Sequence, residues 1–323
     1  MKKEICLKQA LFLVLGILIG VGICHYGNKV SVEEHSDLRS GVVGWVNPLL
    51  ECNPSIREGA PQIRTLKGAV DNYINPHLEK KKNVSVSVYY KDLNSGAWFG
   101  VNNELLFAVA SLSKVPLIAK IYKLSESNPE LLNKKIVYNP QEVDLKNIDN
   151  NVEKEHQLVQ GQEYSVQELL EKMIIHSDNI STVVLVKHLK IDLGKMFKDF
   201  GIVYYRENGL LNLTTKSYGA IFRILYNSTY LNPELSGKIL QLLSKSEFDK
   251  GIRHGVPKSI KVANKFGARS PGKDKKFQLH DCGIVYKKNP YLLCVMTKGP
   301  SLKELGDIIR GVSQTILKEK KVL

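Results

Sequence analysis

An α/β fold, an antiparallel sheet flanked by N- and C-terminal helices with an all-α lobe inserted, is predicted by three observations. Segments of strand character cluster near both ends of the region from about 58 to the C-terminus, at 85–96 and 279–297. The stretch between them carries apolar residues at helical spacing. Amphipathic helical patterns stand before the first strand and after the last.

In chain order, Ile63, Leu66, Val70, Tyr73 and Ile74 form one helical stripe. Ser85 to Gly96 reads as a hairpin, with alternation in its first strand and Asn94-Ser95-Gly96 as its turn. Val166, Leu169, Leu170, Met173 and Ile174 predict a helix over Ser165 to Ile175, with a second apolar run from Ile180 to Leu189. Leu279 to Tyr286 and Tyr291 to Thr297 flank Lys287-Lys288-Asn289-Pro290 as a second hairpin. Leu302, Leu305, Ile308, Ile309, Val312 and Ile316 close the chain with an amphipathic helix. Strands at both ends with helices between them imply a sheet closed by both termini. With 323 residues, 43% of them hydrophobic, the chain is large enough to bury such a core. The expected folded domain is 58–323, its α/β part 58–115 and 216–323 and its helical lobe 116–215.

The N-terminus has its own logic. Lys2, Lys3 and Lys8 precede an uninterrupted apolar run from Ala10 to Cys24, an order that keeps the N-terminus inside and sends the rest out. We read 1–8 as a cytoplasmic tail, 9–26 as a single-pass signal-anchor and 27–57 as a juxtamembrane tether. The run is short for a spanning helix, and Gly20-Val21-Gly22 offers a cleavage site, so a secreted form stays open. Either way the part of the chain after the apolar run is expected outside the cytoplasm. A formal charge of +14 comes without a basic reading helix or a stacking motif, which argues against nucleic acid and for a solvated surface facing anionic membrane or wall polymer.

Five cysteines, Cys6, Cys24, Cys52, Cys282 and Cys294, make no disulfide framework. Cys282 and Cys294 lie on the two strands of the second hairpin and are able to face each other; two buried free thiols are the plainer expectation. The eight histidines show no metal-ligand spacing, and His176 reads as a polar residue at a helix end. No metal and no cofactor is expected.

Three short motifs carry chemistry. Ser111-Leu112-Ser113-Lys114 opens a helical run, where a Ser and a Lys one turn apart share a face and the Lys amine can reach the Ser hydroxyl. The Ser111 N–H, at a helix N-terminus, is also placed to donate to an oxyanion. A second copy of the pattern, Ser270-Pro271-Gly272-Lys273, is a Pro-Gly turn and no helix opening. Ser177-Asp178-Asn179 falls at the break between two helices, where Asp178 or Asn179 would also serve as a cap. Lys265-Phe266-Gly267 lies in a strand-like run near the C-terminus.

Ser-x-x-Lys, Ser-Asp-Asn and Lys-x-Gly in this order resemble the signature of class A β-lactamases and penicillin-binding proteins, the superfamily of active-site serine acyl-enzymes. The resemblance runs from about Val84 to Leu317. It implies a site in the crevice between the sheet and the helical lobe. Ser111 is the implied nucleophile and Lys114, when neutral, its general base. Ser177 relays a proton to the leaving nitrogen, and Asn179 holds Lys114 and the substrate amide. Lys265 is expected near Ser177 and the substrate carboxylate, its charge depressing the Lys114 pKa. Gly267 and Ala268 line the substrate, with the N–H groups of Ser111 and Ala268 as the oxyanion hole, about 3 kcal/mol per donor in comparable sites.

The substrate implied is a β-lactam or a D-alanyl peptide of peptidoglycan. Deacylation in class A enzymes uses a Glu in a Glu-x-x-Leu-Asn loop; in the shortened stretch 201–215, Glu207 misses that pattern by one residue, and it is the one carboxylate that fits the role. Phe266 stands where a Thr hydroxyl would bond the substrate carboxylate, a contact worth about 1.5–3 kcal/mol. Arg269 or His280 is left to compensate. These two departures also fit a non-hydrolysing penicillin-binding sensor or a wall-binding protein.

Overall fold

The computed structural model describes residues 45, 61–80, 83–143, 145, 148, 150, 152–207, 209–272 and 274–322. The tail and the signal-anchor expected over 1–26, with Cys6, Cys24 and Cys52, lie outside them. Among the described residues no helix is long and apolar enough to cross a membrane.

Helix α1 (Pro61–Lys80) leads into strands β1 (Ser85–Asp92) and β2 (Trp98–Val101), then β3 (Leu106–Ala108). A 3-10 turn, Ala110–Ser113, runs straight into α2 (Lys114–Ser127). The inserted lobe follows: β4 (Lys135–Val137), β5 (Glu163–Ser165), α3 (Val166–Ile175), α4 (Asn179–His188) and α5 (Leu193–Asp199). After the hairpin β6 (Tyr205–Glu207) and β7 (Leu210–Thr214), α6 (Thr215–Tyr226) and α7 (Pro233–Ser244) return the chain to the sheet. Strands β8 (Lys261–Arg269), β9 (Phe277–Tyr286) and β10 (Tyr291–Gly299) and helix α8 (Leu302–Val322) complete it.

The main sheet has the order β2-β1-β10-β9-β8, antiparallel throughout. Helices α1 and α8 cover one face, where Leu66, Val70, Ile74, Ile308 and Val312 meet Val86, Val88 and Val295. Helices α6 and α7 cover the other. This double cover explains why β1 does not alternate as its sequence suggests: Val86 to Tyr90 are all buried. Ser87, wholly buried, is satisfied by the Thr215 hydroxyl at the start of α6.

Local chemistry sets the helix starts. Ser165 and Glu168 form a capping box on α3. Asp192, Thr214 and Asn232 cap α5, α6 and α7 in the same side-chain-to-backbone way. Strand β8 is an edge strand, so its outer side is open to whatever lies beside it; that neighbour is the 3-10 turn carrying Ser111.

Cys282 and Cys294 are joined in a disulfide, not left as free thiols. The register of β9 on β10 sets them directly opposite each other, so the hairpin itself brings the two sulfurs together. Trp45, within the expected tether, packs its ring edge on Tyr286, whose hydroxyl donates to the Trp45 carbonyl at 2.9 Å.

Candidate active site

Ser111 sits in the 3-10 turn, not in an α-helix, and this matters for its reach. Side chains three apart eclipse in a 3-10 helix, so Ser111 and Lys114 stand in line along one side. The turn is entered through Ala110 at φ 46, a left-handed conformation that costs a residue with a Cβ on the order of 1–2 kcal/mol. Its surroundings hold it there. The Ala108 N–H donates to Gln278 Oε1 at 3.0 Å, and the Ala108 carbonyl accepts from His280 Nε2 at 3.1 Å. Val109 N–H donates to the Leu211 carbonyl at 2.9 Å, and the buried Tyr218 hydroxyl donates to the Leu112 carbonyl at 2.9 Å.

Gly267 explains the glycine of the third motif. A Cβ there would stand 3.2 Å from Leu112 N and 3.1 Å from Leu112 Cγ, so only glycine lets β8 come this close to the nucleophile turn. Ala268 follows, exposed, on the same strand.

The second motif supplies the opposite wall. Asp178 is the cap of α4, accepting from the N–H groups of Ile180 and Ser181 at 3.0 and 3.1 Å. That leaves Ser177 at φ 57, a second left-handed non-glycine residue, with its carbonyl and hydroxyl turned to Lys114. Backbone strain of this kind persists where the surroundings over-determine it. The Asn179 N–H donates to Asn150 Oδ1 at 2.9 Å, which ties the site to the long segment before α3.

Lys114 is buried and reaches three acceptors: the Ser177 carbonyl at 2.6 Å, Asn179 Oδ1 at 2.6 Å and Ser177 Oγ at 3.2 Å. Burial lowers its pKa to about 7, against the pull of the Asp178 carboxylate. The cause differs from the expected one, since desolvation and not the charge of Lys265 dominates. A neutral Lys114 is fully satisfied here: two N–H groups go to the two carbonyl-type oxygens, and the lone pair remains for a hydroxyl. Lys265, also wholly buried, donates to Ser177 Oγ at 2.8 Å. Its pKa is pushed well down by burial and then by the Lys114 charge, with the Asp281 carboxylate opposing. One hydroxyl thus bridges two buried amines, the charge of Lys114 disfavouring that of Lys265, an arrangement through which a proton could be passed. Among the described residues no hydrogen bond joins Lys114 Nζ to Ser111 Oγ.

Phe266 does not leave a gap in the Thr position. Its ring stacks on Phe248 with centroids 4.1 Å apart, and Lys265 Nζ lies 4.2 Å from its centroid. His280 is excluded as a substitute partner for a substrate carboxylate, because it is wholly buried and its ring nitrogens are used by Ala108 O and Thr297 N. Burial lowers its pKa to about 4, which fixes it as the neutral imidazole. Arg269 is half-buried at the end of β8, two residues beyond Gly267.

Glu207 is exposed on β6, the outer strand of the sheet β3-β7-β6. The stretch expected as a shortened loop is this hairpin. No carboxylate among the described residues is hydrogen-bonded to Ser111, Lys114 or Ser177. Asn150, Tyr218 and Gln278 had no motif to mark them; each acts by touching backbone, and only the fold brings it there.

A family model described as the beta-lactamase enzyme family matches residues 68–319. Among solved structures, the chain is similar to PBP-A at TM-score 0.69 and 20% identity, covering 84% of this chain and 100% of that one. The penicillin G acyl-enzyme complex of a PBP-A mutant superposes at TM-score 0.68 and 19% identity, covering 84% and 100%. A class A beta-lactamase from Mycobacterium abscessus gives TM-score 0.68 and 22% identity, covering 78% and 99%. At these identities the structural likeness is one of fold.

Proposed function

Because the chain belongs to the beta-lactamase enzyme family and has the class A serine-hydrolase fold, we propose that it is an active-site-serine acyl-enzyme, acylated at Ser111, acting outside the cytoplasm on a D-alanyl cell-wall peptide and trapped by β-lactams. The observation that carries this is the Lys114–Ser177–Lys265 relay beside the strained Ser111 turn. Neutral Lys114 takes the Ser111 proton as Oγ attacks the carbonyl. The ammonium so formed passes a proton through Ser177 Oγ to the leaving nitrogen, and the Ser111 and Ala268 N–H groups receive the oxyanion. Atoms balance: the amide C–N bond breaks, an ester at Ser111 forms, and the amine leaves with the proton. Asn179 orients the substrate amide and Arg269 receives the substrate carboxylate.

Between a β-lactamase and a slow-clearing penicillin-binding enzyme, the exposed position of Glu207 favours the second. The same observation supports a sensor that is acylated without turnover. The fully buried Cys282–Cys294 disulfide supports an oxidising, extracytoplasmic setting, and the basic flank ahead of the apolar run from Ala10 to Cys24 supports 9–26 as the membrane anchor. The test is to mix the full chain with penicillin G, digest it and locate the adduct by mass. An adduct on the peptide containing Ser111 is expected; none at all overturns the acyl-enzyme reading. Release of D-alanine from a D-alanyl-D-alanine peptide then separates a peptidase from a sensor.

A further inference from the structure

Next to Ser177, at His176, lies a cluster that the acylation chemistry does not use. His156 and His176 stack face to face, with ring centroids 3.8 Å apart and planes 20° from parallel. His176 Nδ1 is 2.9 Å from Glu247 Oε2. The ligand atoms of His156, His176 and Glu247 all lie within 4.8 Å of one another, and a second such trio, Glu153, Glu155 and His156, shares His156. Three separate segments therefore converge: the segment before β5, the end of α3 and the segment after α7.

We propose that His156, His176 and Glu247 form a binding site for a divalent transition-metal ion of the zinc type, with Glu155 or water completing the shell. Four features support it. The donor set is two imidazoles and a carboxylate, which suits zinc and its nitrogen- and oxygen-preferring neighbours. The ligand atoms already lie within 4.8 Å of one another, so side-chain shifts that turn the two rings out of their parallel stack bring them to bonds of about 2.0–2.2 Å on a shared ion. The backbones bearing the ligands are already tied together: Lys172 Nζ donates to the His156 carbonyl at 2.9 Å, and Glu247 N–H to the Ile175 carbonyl at 3.4 Å. His176 is the C-terminal cap of α3, where the helix dipole favours a cation.

Occupancy would brace the catalytic corner from outside. His176 immediately precedes Ser177, and the segment leading to His156 carries Asn150, which accepts the Asn179 N–H. Sequence spacing is blind to such a site because its ligands come from three places in the chain.

The test uses the untagged full chain, stripped with a chelator and titrated with Co²⁺, then Zn²⁺. Saturable binding of Co²⁺ with visible absorption bands, displaced by Zn²⁺, is expected, together with a rise in Tm on adding Zn²⁺. His156→Ala and Glu247→Gln should each weaken binding by at least about tenfold, the loss that even a supporting partner of a ligand typically causes. Absence of saturable binding, or binding unchanged in both variants, overturns the proposal. Glu247 is more than half exposed, so its variant keeps the test decisive should His156→Ala fail to fold. Because the readout is metal binding, the result is independent of whether Ser111 is acylated.

Discussion

Around Ser111 the molecule presents two walls of different construction. The Lys114–Ser177–Lys265 wall is buried and cross-bonded, with two lysines meeting at one hydroxyl and a left-handed residue held in place between an α3 end and an α4 cap. The β6–β7 wall is an open hairpin whose outer strand, Tyr205 to Glu207, is exposed along its length. On the proposed acyl-enzyme reading the first wall supplies the groups that make an ester, and the second shows none of the carboxylate placement that would clear it. Burial is what separates them: an amine becomes a base near neutral pH only when water is withdrawn, and a carboxylate holds a water in place only when it is itself held.

Variants sharpen this contrast. Ser111→Ala should abolish the penicillin adduct altogether, as read by intact mass. Lys114→Ala should retain the fold and slow acylation roughly 100- to 10,000-fold, the usual contribution of a general base. In the wild type the acylation rate should climb with pH through about 7, the depressed Lys114 pKa, and then level off. Linkage gives the same group a stability signature. Its folded pKa lies below the ordinary 10.5, so between these values the unfolded chain holds a proton that the folded one has released, and stability rises with pH across that window. A flat acylation profile from pH 6 to 9 would remove Lys114 from the role of base.

Gly267→Ala tests the packing of β8 on the nucleophile turn. The added methyl meets Leu112 N at 3.2 Å, so the turn must shift by a few tenths of an ångström. Acylation should slow on the order of tenfold, since displacement of this size misaligns attacking and oxyanion groups. Glu207→Gln is the smallest expected effect: adduct lifetime changes by no more than about twofold, as for other exposed groups outside the network. A much longer lifetime in that variant would place Glu207 in deacylation after all.

The sheet, its two hairpins and the flanking helices were legible because periodicity and turn residues are local signals: Ser165 with Glu168, or Asn94-Ser95-Gly96, act within a few residues. The motif residues Ser111, Lys114, Ser177, Asn179, Lys265 and Gly267 were legible as types in order. What was not legible is what acts across the chain. His280 reads as a candidate partner for a substrate carboxylate but spends both ring nitrogens on backbone 17 and 172 residues away. The alternation of β1 promised a wet face that α6 covers. Cys282 and Cys294 were equally spaced from the turn, yet only the strand register shows that they meet. Phe266 reads as a lost hydroxyl and turns out to stack on Phe248 with the Lys265 ammonium close to its ring.

The most direct measurement is the decay of the penicillin G adduct on the full chain, followed by intact mass after excess drug is removed. With the ester-forming wall complete and Glu207 in open solvent, the Ser111 adduct should persist for many minutes. Its disappearance within seconds would show an efficient deacylating group at the site and contradict the division of labour drawn here.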